Sequence, residues 1–504
     1  MDVVSRFRRP DAPALILVSN REPFIHERDA SGQITISHPA GGLTAALQPM
    51  LAATGGTWIA WGSGSADFDV TDGHDGVRVP PQNPAYRLRR LRLTPEEVRG
   101  YYIETANRAL WPLCHSQISL LIYEEEHWKT YRRVNERFAA AAVSEAKGRE
   151  AVVWLQDYHL ACVPAMLRGA RGLFVHQFWH IPWPQADILR LFPPARTLVR
   201  ALLGNDLLGF QTKADCRNFF AAVRRFVPEA KVELGHGRVK FGGKRTVVRA
   251  FPISIDVKAF ERSSARADVA EMSRRIRRTA LPHGGQLLLG VDRVDYTKGI
   301  PRRFRAIERL LEQHPEHIGR VVLLQIAVPS RGEVPEYVAY EEEVAEIAQQ
   351  VNRRYRRGDW QPIRLVREGQ DPVTLTAFYR AADLCVVSPL QDGMNLVAKE
   401  FVACQRDRLG ALVLSRFAGA VHEMRGAFLV NPYDAGAVAE TIHTALATPP
   451  EERERRLVQM RRRLEASTVF DWMETIFAEV ERLRRKKWYD RSLRPKENSA
   501  GSPW

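Results

Sequence analysis

Short apolar runs alternate along the whole chain with polar, glycine-containing turns and with stretches of helical spacing. In the first half the runs are Ala14–Ser19, Thr57–Trp61, Val152–Leu155, Leu173–Trp179 and Leu207–Gln211, followed by strand-like segments and glycine turns over 232–249. Gly41-Gly42 stands just before one expected helix, Thr94-Pro95-Glu96-Glu97 reads as the capped start of another, and 123–147 as a long amphipathic one. The alternation restarts with strands over 287–291, 321–326, 362–366, 382–388 and 412–415. Helices are expected from Pro301, around 333–356 and 372–381, after Asn395, and over 434–447, 450–466 and 468–487. Most runs are apolar throughout, as in parallel sheets covered on both faces. The expected fold class is α/β, with two Rossmann-like doubly wound units.

The polar and Arg-rich stretch 258–282 reads as the linker or an early helix of the second unit. The expected division is 1–255, 256–470, a helix over 471–490 packing back on the first unit, and a flexible tail over 491–504.

Chemistry-bearing residues gather where strands end. The central stretch is Ser388–Cys404, SPLQDGMNLVAKEFVAC, in which a strand passes through an Asp392-Gly393 turn into a helix. Such a corner leaves unpaired N–H groups at a helix start and accepts anions, and Asp392 and Glu400 flank it with carboxylates. An ordinary βα connection with a surface aspartate would look the same. After the 287–291 strand, Arg293 and Lys298 put two cations at a second strand-to-helix corner, a set that suits a diphosphate or, equally, a solvated face. Arg21, Asp157 and His180 each follow a strand of the first half, so three polar groups from separate loops are expected to converge. Trp58 and Trp61 are read as facing one side of their strand, as core or as walls of a sugar pocket.

Composition narrows this little. A length of 504 residues asks for more than one core, and 45% hydrophobic with 26% charged residues is ordinary for a globular protein. The net charge of +15 invites nucleic acid as a partner, but the arginines interleave with glutamates along helices and no nucleic-acid reader motif accompanies them. No nucleic-acid or membrane partner is expected, since no apolar run approaches the ~20 residues of a membrane helix and PALILV is too short for a signal core. Five scattered cysteines without a CxxC pair fit a reduced cytoplasm, and no histidine spacing indicates a metal. No cofactor is indicated, and the sequence leaves a homo-oligomer open.

SNREP, AGGLTAAL, YY…LWPLCH, DYHL, HIPWP, DLLGFQT, VDRVDYTKGIPRRFRA, PSRGEVPEY, QDGMNLVAKEFVACQ and LSRFAGA run in order from about residue 14 to 475, and this set resembles the trehalose-6-phosphate synthases. The resemblance implies two Rossmann-like domains facing across a cleft, the GT-B arrangement. It also implies transfer of glucose, with retained configuration, from a nucleotide diphosphate glucose, usually UDP-glucose, to glucose 6-phosphate. The first unit would then bind the acceptor and the second the nucleotide sugar.

By the same resemblance, Asp392 would hold the glucose hydroxyls, Glu400 the ribose, and Arg293, Lys298 and the Asn395-Leu396-Val397 backbone the diphosphate, with Gly42 against the donor. Arg21, Tyr102, Trp111 and Arg331 would bind the acceptor phosphate region, Trp61 its sugar and Asp157 its hydroxyls, while His180 would contact the transferred glucose. Three departures stand out: Gln156 where the family commonly has His, Gln391 where it has Arg, and Trp183 where it has Phe. NREP and FWHIPWP resemble a sister group, the glucosylglycerol-phosphate synthases, which use glycerol 3-phosphate. A non-catalytic sugar-phosphate sensor would be expected to lack the donor residues. No phosphatase-like segment follows residue 490, so dephosphorylation would fall to another protein.

Overall fold

The structure is a computed structural model that describes Phe7 and residues 12–38, 42–406 and 409–492. Its strands are β1 (Ala14–Val18), β2 (Ile25–Arg28), β3 (Ile34–Ser37), β4 (Thr57–Trp61), β5 (Gly76–Val79), β6 (Tyr86–Leu91), β7 (Ala151–Gln156), β8 (Leu173–Trp179), β9 (Leu207–Phe210), β10 (Lys231–Glu233), β11 (Arg238–Phe241) and β12 (Lys244–Ala250). The second half adds β13 (Gln286–Arg293), β14 (Val321–Val328), β15 (Ile363–Val366), β16 (Leu384–Val387), β17 (Ala411–Ser415) and β18 (Phe428–Val430).

They form a ten-stranded sheet in the order β10-β11-β12-β9-β8-β7-β1-β4-β6-β5, a six-stranded sheet in the order β15-β14-β13-β16-β17-β18, and a separate β2–β3 hairpin. The six-stranded sheet is parallel throughout. The larger one is parallel from β12 to β6, with β10, β11 and β5 antiparallel at its edges. Both are doubly wound. The winding reverses between β1 and β7 in one sheet and between β13 and β16 in the other, and ligands sit outside the carboxyl ends of strands at such points.

The central strands are buried end to end, β7 and β8 at every position, which is why they read as apolar runs rather than alternating ones. The expectation for the Thr57–Trp61 strand is corrected. Positions three apart on a strand point to opposite faces. Trp58 is therefore buried in one core and donates its indole N–H to Ser19 Oγ at 2.7 Å, whereas Trp61 is half-buried against the other core. The 258–282 stretch is almost wholly helical, as Val257–Ala265 and Ala267–Ala280.

The last helix, Val469–Ser492, starts with Val469 N–H donating to Ile255 O at 3.0 Å. It lays Trp472 and Phe477 against Trp154 of β7, at 5.8 and 5.0 Å between ring centroids, and Trp472 Nε1 donates to Phe251 O at 3.1 Å. The tail expected over 491–504 is helical at its first two residues; its remainder lies outside the described residues. Among the described residues no helix is long and apolar enough to cross a membrane.

Candidate active site

The carboxyl ends of β13 and β16 meet at a lysine–aspartate pair. Lys298 stands on a single turn after β13, ended by Gly299 at φ 65°, where a Cβ would meet Ser388 O at 2.8 Å; glycine lets the two loops touch. Lys298 Nζ donates to Asp392 Oδ2 at 2.6 Å. Burial works against both charges, yet each overrides it for the other, so the ammonium is raised above and the carboxyl held below its ordinary value. Asp392 Oδ2 also accepts from Asn395 Nδ2 at 3.2 Å, and Oδ1 has a long contact of 3.4 Å to the Met394 amide.

Asn395, at φ 80°, caps the helix Leu396–Cys404 by accepting from Ala398 N–H. The amides of Leu396 and Val397 lie between the cap residue and Ala398, in the first turn, where a helix has no partners of its own to offer. The resulting corner is electropositive and carries Lys298 beside it. Arg293 ends β13 with its side chain exposed and, among the described residues, without a hydrogen bond or ion pair. Its charge still reaches Tyr102 and Tyr158 of the first half, as well as Asp295 and Lys298, so it faces the space between the two sheets. Glu400, one turn into the helix, accepts from Tyr379 OH through Oε2 at 2.7 Å, and burial raises its carboxyl.

Across the gap, Trp111 and Arg331 meet face to face. The Arg331 guanidinium lies 4.1 Å from the indole centroid. Asp295 holds both: Trp111 Nε1 donates to its Oδ1 and Arg331 Nη1 to its Oδ2, each at 3.4 Å. Burial alone would raise Asp295, but Arg331, Lys298 and Arg293 together hold it down at about 2. Arg331 Nε is buried without a partner among the described residues. Arg21 Nη2 donates to Tyr102 OH at 3.2 Å, and the Tyr102 ring packs on Trp61 at 5.7 Å and on His159 at 5.9 Å. Burial pushes the Tyr102 hydroxyl up, but Arg21, Arg331 and Arg293 prevail and lower it. Four cations from both halves thus converge on one space.

On the other side of that space, Asp157 follows β7 at φ 68°, and its Oδ1 accepts from the His180 backbone N–H at 3.0 Å. Burial raises its carboxyl to about 6, against the pull of the backbone donors. The His180 ring is neutral, pushed down to about 3 by burial and then by His176. Its tautomer is fixed by a chain of bonds. Gln211 Oε1 accepts from Ile253 N–H at 3.0 Å, which turns Gln211 Nε2 toward His180 Nδ1 at 3.5 Å. Nδ1 is then the acceptor, and Nε2–H donates to Gln156 Oε1 at 2.8 Å. Gln156 therefore belongs to the site, whereas Trp183 is core, packed on Trp179, Phe210 and Phe219.

The two halves touch here directly: a Cβ on Gly393 would lie 2.1 Å from His180 O. A second bridge is the pairing of Arg108 with Glu336, at 2.8 and 3.1 Å. Gly42 opens the helix Gly42–Thr54, while Gly41 lies outside the described residues. Sequence reasoning missed Asp295, Tyr337, whose hydroxyl donates to Asp295 Oδ2 at 3.1 Å, and the Arg108–Glu336 pair, and it read Gly393 only as part of a turn. Asp295 carried a readable signal, because an aspartate two residues before Thr297 in a strand-to-helix turn is a capping residue.

The family model for glycosyltransferase family 20 matches residues 13–482. The chain is 39% identical over 464 residues to a trehalose-6-phosphate synthase of Mycobacterium avium, covering 91% of this chain and 93% of that protein. It is 38% identical over 469 residues to a bifunctional trehalose-6-phosphate synthase/phosphatase of Thermoproteus tenax, covering 91% of this chain but 62% of the longer relative. In structure it is similar to an alpha,alpha-trehalose-phosphate synthase (UDP-forming) from Burkholderia xenovorans in complex with glucose-6-phosphate, with a TM-score of 0.82 and 32% identity over 93% of this chain and 100% of that one. Two doubly wound sheets meeting at their carboxyl edges, together with these likenesses, make the chain a GT-B enzyme that belongs to glycosyltransferase family 20.

Proposed function

We propose that this enzyme moves glucose from UDP-glucose to glucose 6-phosphate with retention of configuration, releasing UDP and trehalose 6-phosphate. The observation that carries the reading is Lys298 on Asp392 beside the capped start of the Leu396–Cys404 helix, with Arg293 within electrostatic range of both Lys298 and Tyr102 of the first half. Relatives named for this reaction support the donor and acceptor. In this reading residues 1–255 hold the acceptor, 256–470 hold the nucleotide sugar, and the helix 471–490 ties the second unit back to the first.

Arg293, Lys298 and the Leu396 and Val397 amides bind the diphosphate, which draws Lys298 away from Asp392. Freed, Asp392 accepts from glucose hydroxyls, Glu400 accepts from the ribose, and Gly42 allows the donor phosphates to approach. Arg21, Tyr102, Trp111 and Arg331 bind the acceptor phosphate, Trp61 walls its sugar and Asp157 orients its hydroxyls. His180, held neutral with Nε2 committed to Gln156, contacts the transferred glucose without trading a proton. The bond to the departing phosphate breaks with oxocarbenium character at the anomeric carbon. The acceptor hydroxyl attacks the same face and passes its proton to the departing phosphate oxygen. The cations lower the barrier because they are aimed at the charge that grows on that phosphate, and closure of the halves supplies the alignment.

Release of UDP from UDP-glucose tests this, with glucose 6-phosphate and glycerol 3-phosphate supplied separately. Turnover with glucose 6-phosphate supports the reading, and turnover with glycerol 3-phosphate alone overturns the acceptor. The second acceptor is included because NREP and FWHIPWP resemble the glucosylglycerol-phosphate synthases.

A further inference from the structure

A cluster unrelated to the cleft lies at the opposite end of the six-stranded sheet. The helix Ile300–Gln313 runs away from Lys298, and its last turn leads through His314, Pro315, Glu316 and His317 into the amino end of β14. At 1.5 Å per residue this places His314 about 20 Å from the start of that helix. The neighbouring helix Ala435–Ala447 brings His443 and Glu440 to the same spot. The His314 and His443 rings stack at 3.7 Å and 6°.

The ring nitrogens converge. His314 Nδ1 lies 3.5 Å and His443 Nδ1 lies 3.9 Å from Glu316 Oε1. His317 Nε2 lies 3.0 Å from His443 Nδ1. The two spacings to Glu316 lie a few tenths of an ångström above the separation of about 3.3 Å between ligand atoms of a tetrahedral zinc with arms of about 2.0 Å, so a small side-chain adjustment would close the group on an ion. The far nitrogen of His314 is also engaged, because Nε2 sits 2.7 Å from Glu440 Oε1. A carboxylate behind a histidine fixes the ring and turns the other nitrogen toward a metal, the outer-shell pattern of many zinc sites. Glu316 is 59% exposed and His314 18%, so the cluster opens to solvent and an ion could reach it.

We propose that His314, Glu316 and His443 form a site for a divalent first-row cation of the zinc type, with Glu440 as the group that orients His314 and His317 as a neighbour whose bond to His443 Nδ1 the cation displaces. Two imidazoles and one carboxylate, with a fourth position left to water, are a donor set such ions take in preference to magnesium or calcium. The site would be a staple: it joins two helices more than a hundred positions apart in sequence, at the edge of the sheet remote from the transfer chemistry. Its ligands were invisible as a motif because His443 comes from a different helix.

The test is zinc chloride titrated into the full chain after chelator treatment, followed by calorimetry and thermal unfolding. Binding of one equivalent with a rise in Tm is expected, abolished in His314→Ala and in the size-conserving His443→Gln. Glu440→Gln should weaken binding about 10-fold or more. Cobalt(II) in place of zinc should give the intense visible absorption of tetrahedral coordination, lost in His443→Gln. Absence of stoichiometric binding in the unaltered chain overturns the proposal. So does binding that His314→Ala and His443→Gln leave unchanged, which would mean adventitious zinc elsewhere.

Discussion

At the scale of single residues, the site works by holding groups in charge states they would not choose alone. Asp157 is the case with a measurable consequence. Burial lifts its carboxyl from 3.8 to about 6. The sign follows: the ionised form, which can accept two hydroxyl bonds, dominates above that value and is lost as the pH falls through it. The rate of glucosyl transfer is therefore expected to fall below pH 6 in a profile of kcat/KM. Asp157→Asn should remove that limb while lowering the plateau. A profile unchanged by Asp157→Asn would remove Asp157 from the chemistry. His180 behaves in the opposite sense: with its ring pushed down to about 3, it adds no limb between pH 5 and 8.

At the scale of elements, the loops after strands do the work, and their glycines set how near they can come. Gly393 has no room for a side chain, since a Cβ would meet His180 O, a backbone atom, at 2.1 Å. Gly393→Ala should separate the two loops and cut kcat by about 100-fold or more, because misplacement by about 1 Å is costly for a reaction that depends on alignment. An active variant with unchanged kcat would show that the loops need not touch.

The buried central strands were legible, because buried parallel strands announce themselves as unbroken apolar runs ending in polar loops, whereas β2, β3, β5, β6 and β18 were not read. Arg293, Lys298 and Asp392 were singled out by that rule, while Asn395 came only from the resemblance. What could not be read depends on contacts between distant segments. Asp295 gathers Trp111 and Arg331 from different halves, and Tyr379 holds Glu400 from another helix. Tyr102 sits on a π-helical stretch, Arg99–Leu110, whose extra residue per turn no sequence period signals. The two tryptophans of β4 were misjudged by simple counting, since three positions along a strand reverse the face.

At the scale of the molecule, two doubly wound sheets present their carboxyl edges to each other and are tied at several points. Arg108 with Glu336, and Gly393 against His180, bridge them close to the site. The final helix anchors at Ile255 and Phe251, on the segment where the chain passes from one half to the other. Many surface arginines pair with glutamates along their own helices, as Arg274 with Glu271, Arg455 with Glu452 and Arg482 with Glu479. The central claim is that the second half steadies the leaving diphosphate while the first half presents the acceptor. The most direct measurement is the single-turnover rate of UDP release by Arg293→Ala at saturating UDP-glucose and glucose 6-phosphate, with folding checked by circular dichroism. Because the exposed Arg293 side chain supports little of the fold, the variant should unfold at nearly the same temperature yet react about 100-fold or more slowly, in line with the loss of one preorganised group at a developing charge. A folded variant that releases UDP at close to the original rate would contradict the account.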